Sequence, residues 1–373
     1  MRLPVRARAR QGDRLLADTT AALRVDRPGE EPELWFPRSD LAPGALDGRT
    51  IEAGEGELVE HARFAADSDI LLTEVADGDD AVDVVRFPNW GDATDLVQVM
   101  DVEPDGDRRY VSAARADWRR PVVEGSQILG QSVVAASRHA PGRRAVAASM
   151  VFTRAADAQV PYHVVLDPVQ EGRSFTALRT SAVQGDRTCA FGTVLLDVTA
   201  GDVMRHTEAA PDVPGPDDAA PFDMGVTGRD LRIVDDAYTG DPDAPLGPPE
   251  LSTWVRFRRV PDDQAIHAGL LAQYTGHMSI AAAMRPHAGV GQDQAHRTLS
   301  TAINVISLSL HADVRADRWM LYHHRSTFAG DGMTHSECRV YDEDRTLVAS
   351  FTVDAMVRGF GDPTREGDYR SSL

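Results

Sequence analysis

One order of elements occurs twice along this chain, and that repetition restricts the fold more than any other feature. In the first copy, Ser126 caps an apolar helix running through Ile128, Leu129, Val133 and Val134 to Arg138, and Ala140-Pro141-Gly142 stops it. Four strand-like segments follow, at 143–153, 161–169, 174–184 and 187–198, with tight turns at Glu171-Gly172 and Gly185-Asp186. The second copy has a strand at 251–260 and a helical region at 262–284 ended by Pro286. Strands then return near 301–311, 319–328, 333–341 and 346–357. Gly185-Asp186-Arg187-Thr188 and Glu343-Asp344-Arg345-Thr346 both enter the last strand of their copy. An echo at the same step of two matching orders points to a duplicated unit.

A helix followed by antiparallel strands buries most when the sheet curls around the helix. Two such sheets joined edge to edge remove a pair of open strand edges. The expected fold is therefore α+β, a tandem hot-dog domain with units at 105–199 and 251–360. Residues 200–250, rich in Pro, Asp and Gly, read as a connection without a core of its own, with one strand at Leu231–Val234. The polar segment 361–373 reads as a loose tail. Ahead of the first unit, residues 3–10 alternate apolar and arginine with period two and turn at Gln11-Gly12-Asp13 into a partner strand at 14–17. With further short strands at 34–36, 70–75 and 81–87, residues 1–104 read as a small all-β domain, bounded at Asp105-Gly106-Asp107.

Charge and composition then exclude several functions. The net charge of -19 repels phosphate backbones and anionic lipid, so neither nucleic acid nor a membrane surface is an expected partner. All 39 basic residues are arginine, which rules out Schiff-base chemistry, pyridoxal-phosphate anchoring and a P-loop lysine. Cys189 and Cys338 are the only cysteines and give no disulfide framework; a reducing cytoplasm is expected. No apolar run approaches the roughly 18 residues of a membrane span. His323 and His324 are adjacent on a strand and so face opposite ways, and His335-x-x-Cys338 has no second pair, so no metal is assigned.

At the repeated units the sequence resembles the acyl-CoA thioesterase II family, over roughly residues 108–358. Val123-Glu124-Gly125-Ser126-Gln127-Ile128-Leu129-Gly130-Gln131 is similar to that family's Val-Phe-Gly-Gly-Gln-Val-Val-Gly-Gln helix start, and Gly172-Arg173-Ser174-Phe175 to its Gly-x-Ser-Phe turn. In the second unit the resemblance is carried by Leu271-Ala272, Arg285-Pro286-His287, His311, Trp319-Met320-Leu321-Tyr322, Leu347-Val348-Ala349-Ser350 and Arg358. The N-terminal region resembles, through Ala17-Asp18-Thr19, Ala22-Leu23 and Trp35-Phe36-Pro37-Arg38, a small bacterial all-β family without assigned function.

The resemblance implies a double hot-dog fold, an acyl thioester of CoA or a carrier protein as substrate, no other cofactor, and compatibility with a homo-oligomer. It also implies a water held by an Asp at the helix break, a Ser or Thr on the next strand and a Gln on the last strand. Those positions are Gly276, Ile303 and Val353 here, so all three water-holding groups are replaced. General-base assistance is worth roughly 10²–10⁴ in rate, so hydrolysis by the family's route should be nearly lost.

Substitute chemistry is available close by. His277 adjoins the lost Asp beside Thr275, at what reads as a helix start, and can act as acid or base. Ser307 shares strand parity with Ile303 provided no bulge intervenes, and Glu124 can offer a carboxylate from the first unit. Asp354 points to the opposite face from Val353. The expected substrate wall is Gly125, Ser126, Gly276, Ile303 and Val353. Two functions follow: an acyl-thioester-processing enzyme, with proton transfer beside the carbonyl in a biosynthetic step as one version, or an acyl-binding or assembly module without turnover.

Overall fold

A computed structural model describes residues 2–12, 14–25, 33–46, 51–54, 56–64, 70–75, 84–87, 95–112, 122–222, 228–234, 245–295 and 298–359. The chain divides into two compact units, Met1–Leu96 with Asp223–Arg229, and Val97–Phe222 with Asp230–Leu373.

In the first unit β1 (Arg2–Gln11), β2 (Arg14–Val25), β3 (Glu33–Pro37), β4 (Ile51–Ala53), β5 (His61–Phe64), β6 (Leu71–Val75) and β7 (Val84–Phe87) form one sheet in the order β4-β5-β3-β2-β1-β6-β7. The arginine-apolar alternation of β1 puts Ala7 and Ala9 into a core with Leu16, Leu34, Phe36 and Phe64. Residues 81–83 of the expected strand at 81–87 lie outside the described residues, as does the tail 361–373.

A short helix not expected from sequence, α1 (Asp95–Met100), leads into β8 (Glu103–Pro104) and β9 (Arg109–Ser112). Asp105-Gly106-Asp107 is the turn of this small hairpin, and β9 pairs with β11, so residues 103–112 are an edge of the second unit's sheet.

The repeated order folds as two hot-dog units. The first has α2 (Gly125–His139) and β10 (Arg144–Phe152), β11 (Tyr162–Glu171), β12 (Phe175–Gln184) and β13 (Arg187–Asp197). The second has β16 (Glu250–Phe257), α3 (Gln264–Tyr274), α4 (Ser279–Met284), β17 (Leu299–Leu310), β18 (Met320–Gly330), β19 (Met333–Tyr341) and β20 (Leu347–Gly359). Between them run β14 (Ala220–Pro221) and β15 (Arg229–Ile233). The 13-stranded sheet has the order β14-β15-β16-β18-β19-β20-β17-β10-β13-β12-β11-β9-β8. The units meet where β10 pairs antiparallel with β17, Ala147 opposite Ser309 and Val151 opposite Val305, which closes one edge of each sheet as expected.

Each helix is enclosed rather than half exposed. Every residue of α2 from Ser126 to Ala136 is buried, and so is every residue of α3 from Ile266 to Tyr274. The two helices cross backbone to backbone. A Cβ on Gly130 would lie 2.5 Å from the Gly269 carbonyl oxygen, and one on Gly269 would lie 2.6 Å from Val134 Cγ2. Only hydrogen fits at either position.

The connection is less passive than its composition suggests. Glu208 pairs with Arg339, Tyr341 donates to the Ala209 carbonyl, and Trp254 Nε1 donates to the Pro214 carbonyl at 2.9 Å. Arg345, stacked 4.9 Å over Trp254, donates to the carbonyls of Pro211 and Val213. Ala219 and Val234 share an apolar cluster with Trp254, Leu321 and Tyr341. Proline carbonyls satisfied by side chains from the second unit let this strap pack without regular structure of its own.

Candidate active site

The helical region expected over 262–284 is interrupted. α3 ends at Tyr274 with Thr275 as its cap, and the chain turns through Gly276, His277 and Met278, whose φ of 69° is left-handed, before α4 begins at Ser279. Thr275 therefore closes a helix instead of starting one. Its side chain is wholly buried and donates to the Ala272 carbonyl at 2.6 Å, so its hydroxyl is spent on the helix end.

This turn lies against the start of α2. A Cβ on Gly276 would sit 2.3 Å from Ser126 Oγ, 2.7 Å from Ser126 Cβ and 3.5 Å from Ile303 Cδ1. Positions 126, 276 and 303, from three separate stretches of sequence, are thus one location. The space a side chain at 276 would need is taken by the Ser126 hydroxymethyl group. Gly125 is equally confined, since a Cβ there would meet the Phe152 ring at 2.8 Å.

Beside this point a polar cluster spans the two hot-dog units. Glu124 is the N-cap residue of α2, but its carboxylate makes no capping bond. Glu124 Oε2 lies 3.4 Å from His277 Nε2 and accepts from Gln273 Nε2 at 3.2 Å. The same Gln273 nitrogen is 3.4 Å from His277 Nε2. His277 is 8% exposed and packs against the Tyr274 ring at 5.0 Å. A carboxylate, an imidazole and an amide with so little water around them can hold and move a proton. Gln273 is a member of this cluster that the sequence reading misses. Its i, i+4 spacing to His277 was the available sign.

Two other groups fall elsewhere. Between Ile303 and Val305 the β17–β20 register shifts, so a bulge breaks the parity on which Ser307 was assigned to the site. Ser307 is exposed and shares a hydrogen bond with Ser149 at 3.0 Å across the β10–β17 seam, on the outer face. Val353 is buried on β20 opposite Ile306. Its neighbour Asp354 faces outward and pairs with His335 at 2.7 Å.

Polar groups inside the first unit hold the scaffold. Gln131, in the helix-start motif, donates to the Val99 carbonyl and to Ser112 Oγ at 2.9 Å, and accepts from the Tyr162 hydroxyl. Burial pushes that phenol well above its ordinary value, so it stays a donor. Arg138 pairs with Asp101, and Arg143 donates to the Gly172 carbonyl.

Comparison with known proteins agrees with this architecture. Residues 114–196 match the model of the acyl-CoA thioesterase N-terminal domain, and residues 207–357 match that of the acyl-CoA thioesterase C-terminal domain. The latter match includes the strap at 207–222. Human acyl-coenzyme A thioesterase 8 is 25% identical over 270 residues, 63% of this chain and 80% of that protein. Acyl-CoA thioesterase 2 of Haemophilus influenzae is 23% identical over 254 residues, 63% of this chain and 87% of that protein. Among solved structures, the acyl-CoA thioesterase II TesB2 of Mycobacterium marinum superposes with a TM-score of 0.60 at 24% identity, covering 71% of this chain and 99% of that one. No helix among the described residues is long and apolar enough to cross a membrane. With one family's two domain models matched in order on the two hot-dog units, the chain belongs to the acyl-CoA thioesterase II family of tandem hot-dog proteins.

Proposed function

We propose that this chain is an enzyme acting on acyl thioesters, carried by CoA or a carrier protein in a reducing cytoplasm, and that Glu124 and His277 together replace the family's water-holding carboxylate. The observation that carries the reading is the 3.4 Å approach of Glu124 Oε2 to His277 Nε2 across the two units, beside the contact of Gly276 with Ser126. An inert binding module has no use for a carboxylate–imidazole pair held by an amide.

In this reading Glu124 orients the ring and stabilises its protonated form, and Gln273 fixes the carboxylate by donating to it. His277 takes a proton and returns it. The proton comes from water when the thioester is hydrolysed, or from the carbon next to the carbonyl when the acyl group rearranges or eliminates. Ile303, beside Gly276 and at the position where the resemblance puts a water-holding hydroxyl, favours the second course because it leaves an apolar wall.

The test is a panel of acyl-CoA esters in deuterated water followed for free thiol and for acyl mass, so that a rearrangement shows as deuterium gained beside the carbonyl, with the unaltered protein, His277→Ala and Glu124→Gln. Turnover lowered roughly 10²–10⁴-fold by His277→Ala supports the enzyme. Tight acyl-CoA binding with neither thiol release nor mass change leaves the binding module instead.

A further inference from the structure

Two residues past His277, and on its inner side, lies a second polar cluster that the proposed reaction does not use. His324 projects inward from β18 and is wholly buried. Its Nδ1 is 3.2 Å from Ser279 Oγ, at the start of α4, and 3.3 Å from Sγ of its cross-strand partner Cys338. Burial, helped by the neighbouring His323 and His277, pulls the imidazole down to about 3, and burial pushes the Cys338 thiol up to about 12. Both groups are therefore neutral, and both neighbours of Nδ1 carry a hydrogen to donate. Because both neighbours can donate to it, we assign Nδ1 the acceptor role, which puts the ring proton on Nε2.

That Nε2 is buried and has no hydrogen-bond partner among the described residues. Around the ring are aromatic faces: Tyr322 stacked at 6.4 Å and Phe351 edge-on at 5.7 Å. A buried N–H donor left alone among aromatic rings is costly and calls for an acceptor. The cluster is continuous with the proposed site. Ser279 N donates to the His277 carbonyl at 2.9 Å, and the Tyr274 ring lies 5.0 Å from His277 and 4.7 Å from Tyr322.

We propose that His324 recognises an oxygen on the substrate's acyl chain, its Nε2–H donating to a carbonyl or hydroxyl oxygen at a carbon beyond the thioester. This rests on the acyl-thioester reading of the site and narrows it to oxygenated acyl groups. A carboxylate is disfavoured because a neutral ring among aromatic side chains offers no countercharge.

The experiment is calorimetric titration of the full chain with CoA esters of one chain length, either unsubstituted or bearing a single ketone or hydroxyl at successive carbons. One oxygenated ester should bind about tenfold more tightly than the unsubstituted one. His324→Phe should abolish the difference between the preferred and the unsubstituted ester. In the unaltered protein, the His324 Nε2–H resonance should move only with the preferred ester, which keeps the test decisive if the variant fails to fold. Equal binding of every ester by the unaltered protein overturns the proposal while leaving the acyl-thioester reading in place. Failure of every ester to bind removes both.

Discussion

Restoring a side chain at position 276 tests whether the site was rebuilt by a coupled exchange. The Cβ of Gly276→Ala would be placed 2.3 Å from Ser126 Oγ and 2.7 Å from Ser126 Cβ. Rotating the Ser126 hydroxyl relieves the first approach but not the second, because that Cβ is fixed to the backbone of α2. Either α2 or the 275–278 turn must move, and overpacking of this kind costs about 1–3 kcal/mol. Ser126→Gly removes both obstructing atoms at a helix-propensity cost of about 0.5 kcal/mol. In that background Gly276→Ala should cost little, which makes the coupling about 1–3 kcal/mol in favour of the double variant. Thermal unfolding of the four proteins measures it. At roughly 2–4 °C per kcal/mol, the single variant Gly276→Ala should lose about 2–12 °C and the double variant should recover most of that. If the loss is the same with and without Ser126, the two positions are independent, and the account of this site as one exchange of bulk between two helix ends is wrong.

Other consequences can be checked separately. Glu124→Gln should lower turnover less than His277→Ala does, by about 10–100-fold, since the base remains and only its orientation and charge support are lost; steady-state rates on the best ester decide this. His324 ionises near 3 when folded against 6.5 in the unfolded chain, so between those values the unfolded state binds more protons. The stability His324 contributes is complete above pH 6.5 and is lost as pH falls towards 3, at up to about 1.4 kcal/mol per pH unit; urea midpoints against pH should show a shallower acid decline in His324→Phe. Arg345→Ala removes two bonds to strap carbonyls and the stacking on Trp254, and should cost about 1–3 kcal/mol and speed proteolysis within 207–222. Gly130→Ala, whose Cβ would lie 2.5 Å from the Gly269 carbonyl, should lower the melting temperature more than Gly201→Ala, where a Cβ meets nothing, by an amount reflecting about 1–3 kcal/mol, if helix crossing sets the tolerance.

Much of the second unit's architecture was readable because its signals are local. Period-two burial in β12 and β19, Gly-Asp turns and an apolar helix at matching offsets need no knowledge of distant residues. The errors arise where distant residues decide. The Pro-rich strap looks coreless until Arg345 and Trp254 satisfy its carbonyls. The break after Tyr274 depends on Met278 accepting a left-handed φ, which no propensity forecasts for methionine. Strand parity alone puts Ser307 on the side of Ile303, but one unpaired residue at the bulge turns it to the outer face. Glu124 and His277 were each visible as reactive groups. Their approach to 3.4 Å depends on α2 and α3 crossing at two glycines, a tertiary fact that spacing cannot supply.

The helix crossing also explains why the substitutions in this site hang together. With Gly130 and Gly269 in backbone contact, the start of α2 and the end of α3 are held rigidly side by side, so volume added at one must be removed from the other. Ser126 fills what Gly276 leaves empty, and Glu124, one residue before α2, extends to His277 instead of capping its own helix. An N-cap carboxylate that forgoes its capping bond gives up about 1 kcal/mol of helix stability. Here that carboxylate meets an imidazole nine-tenths buried in the other hot-dog unit, the arrangement on which the proposed proton transfer rests.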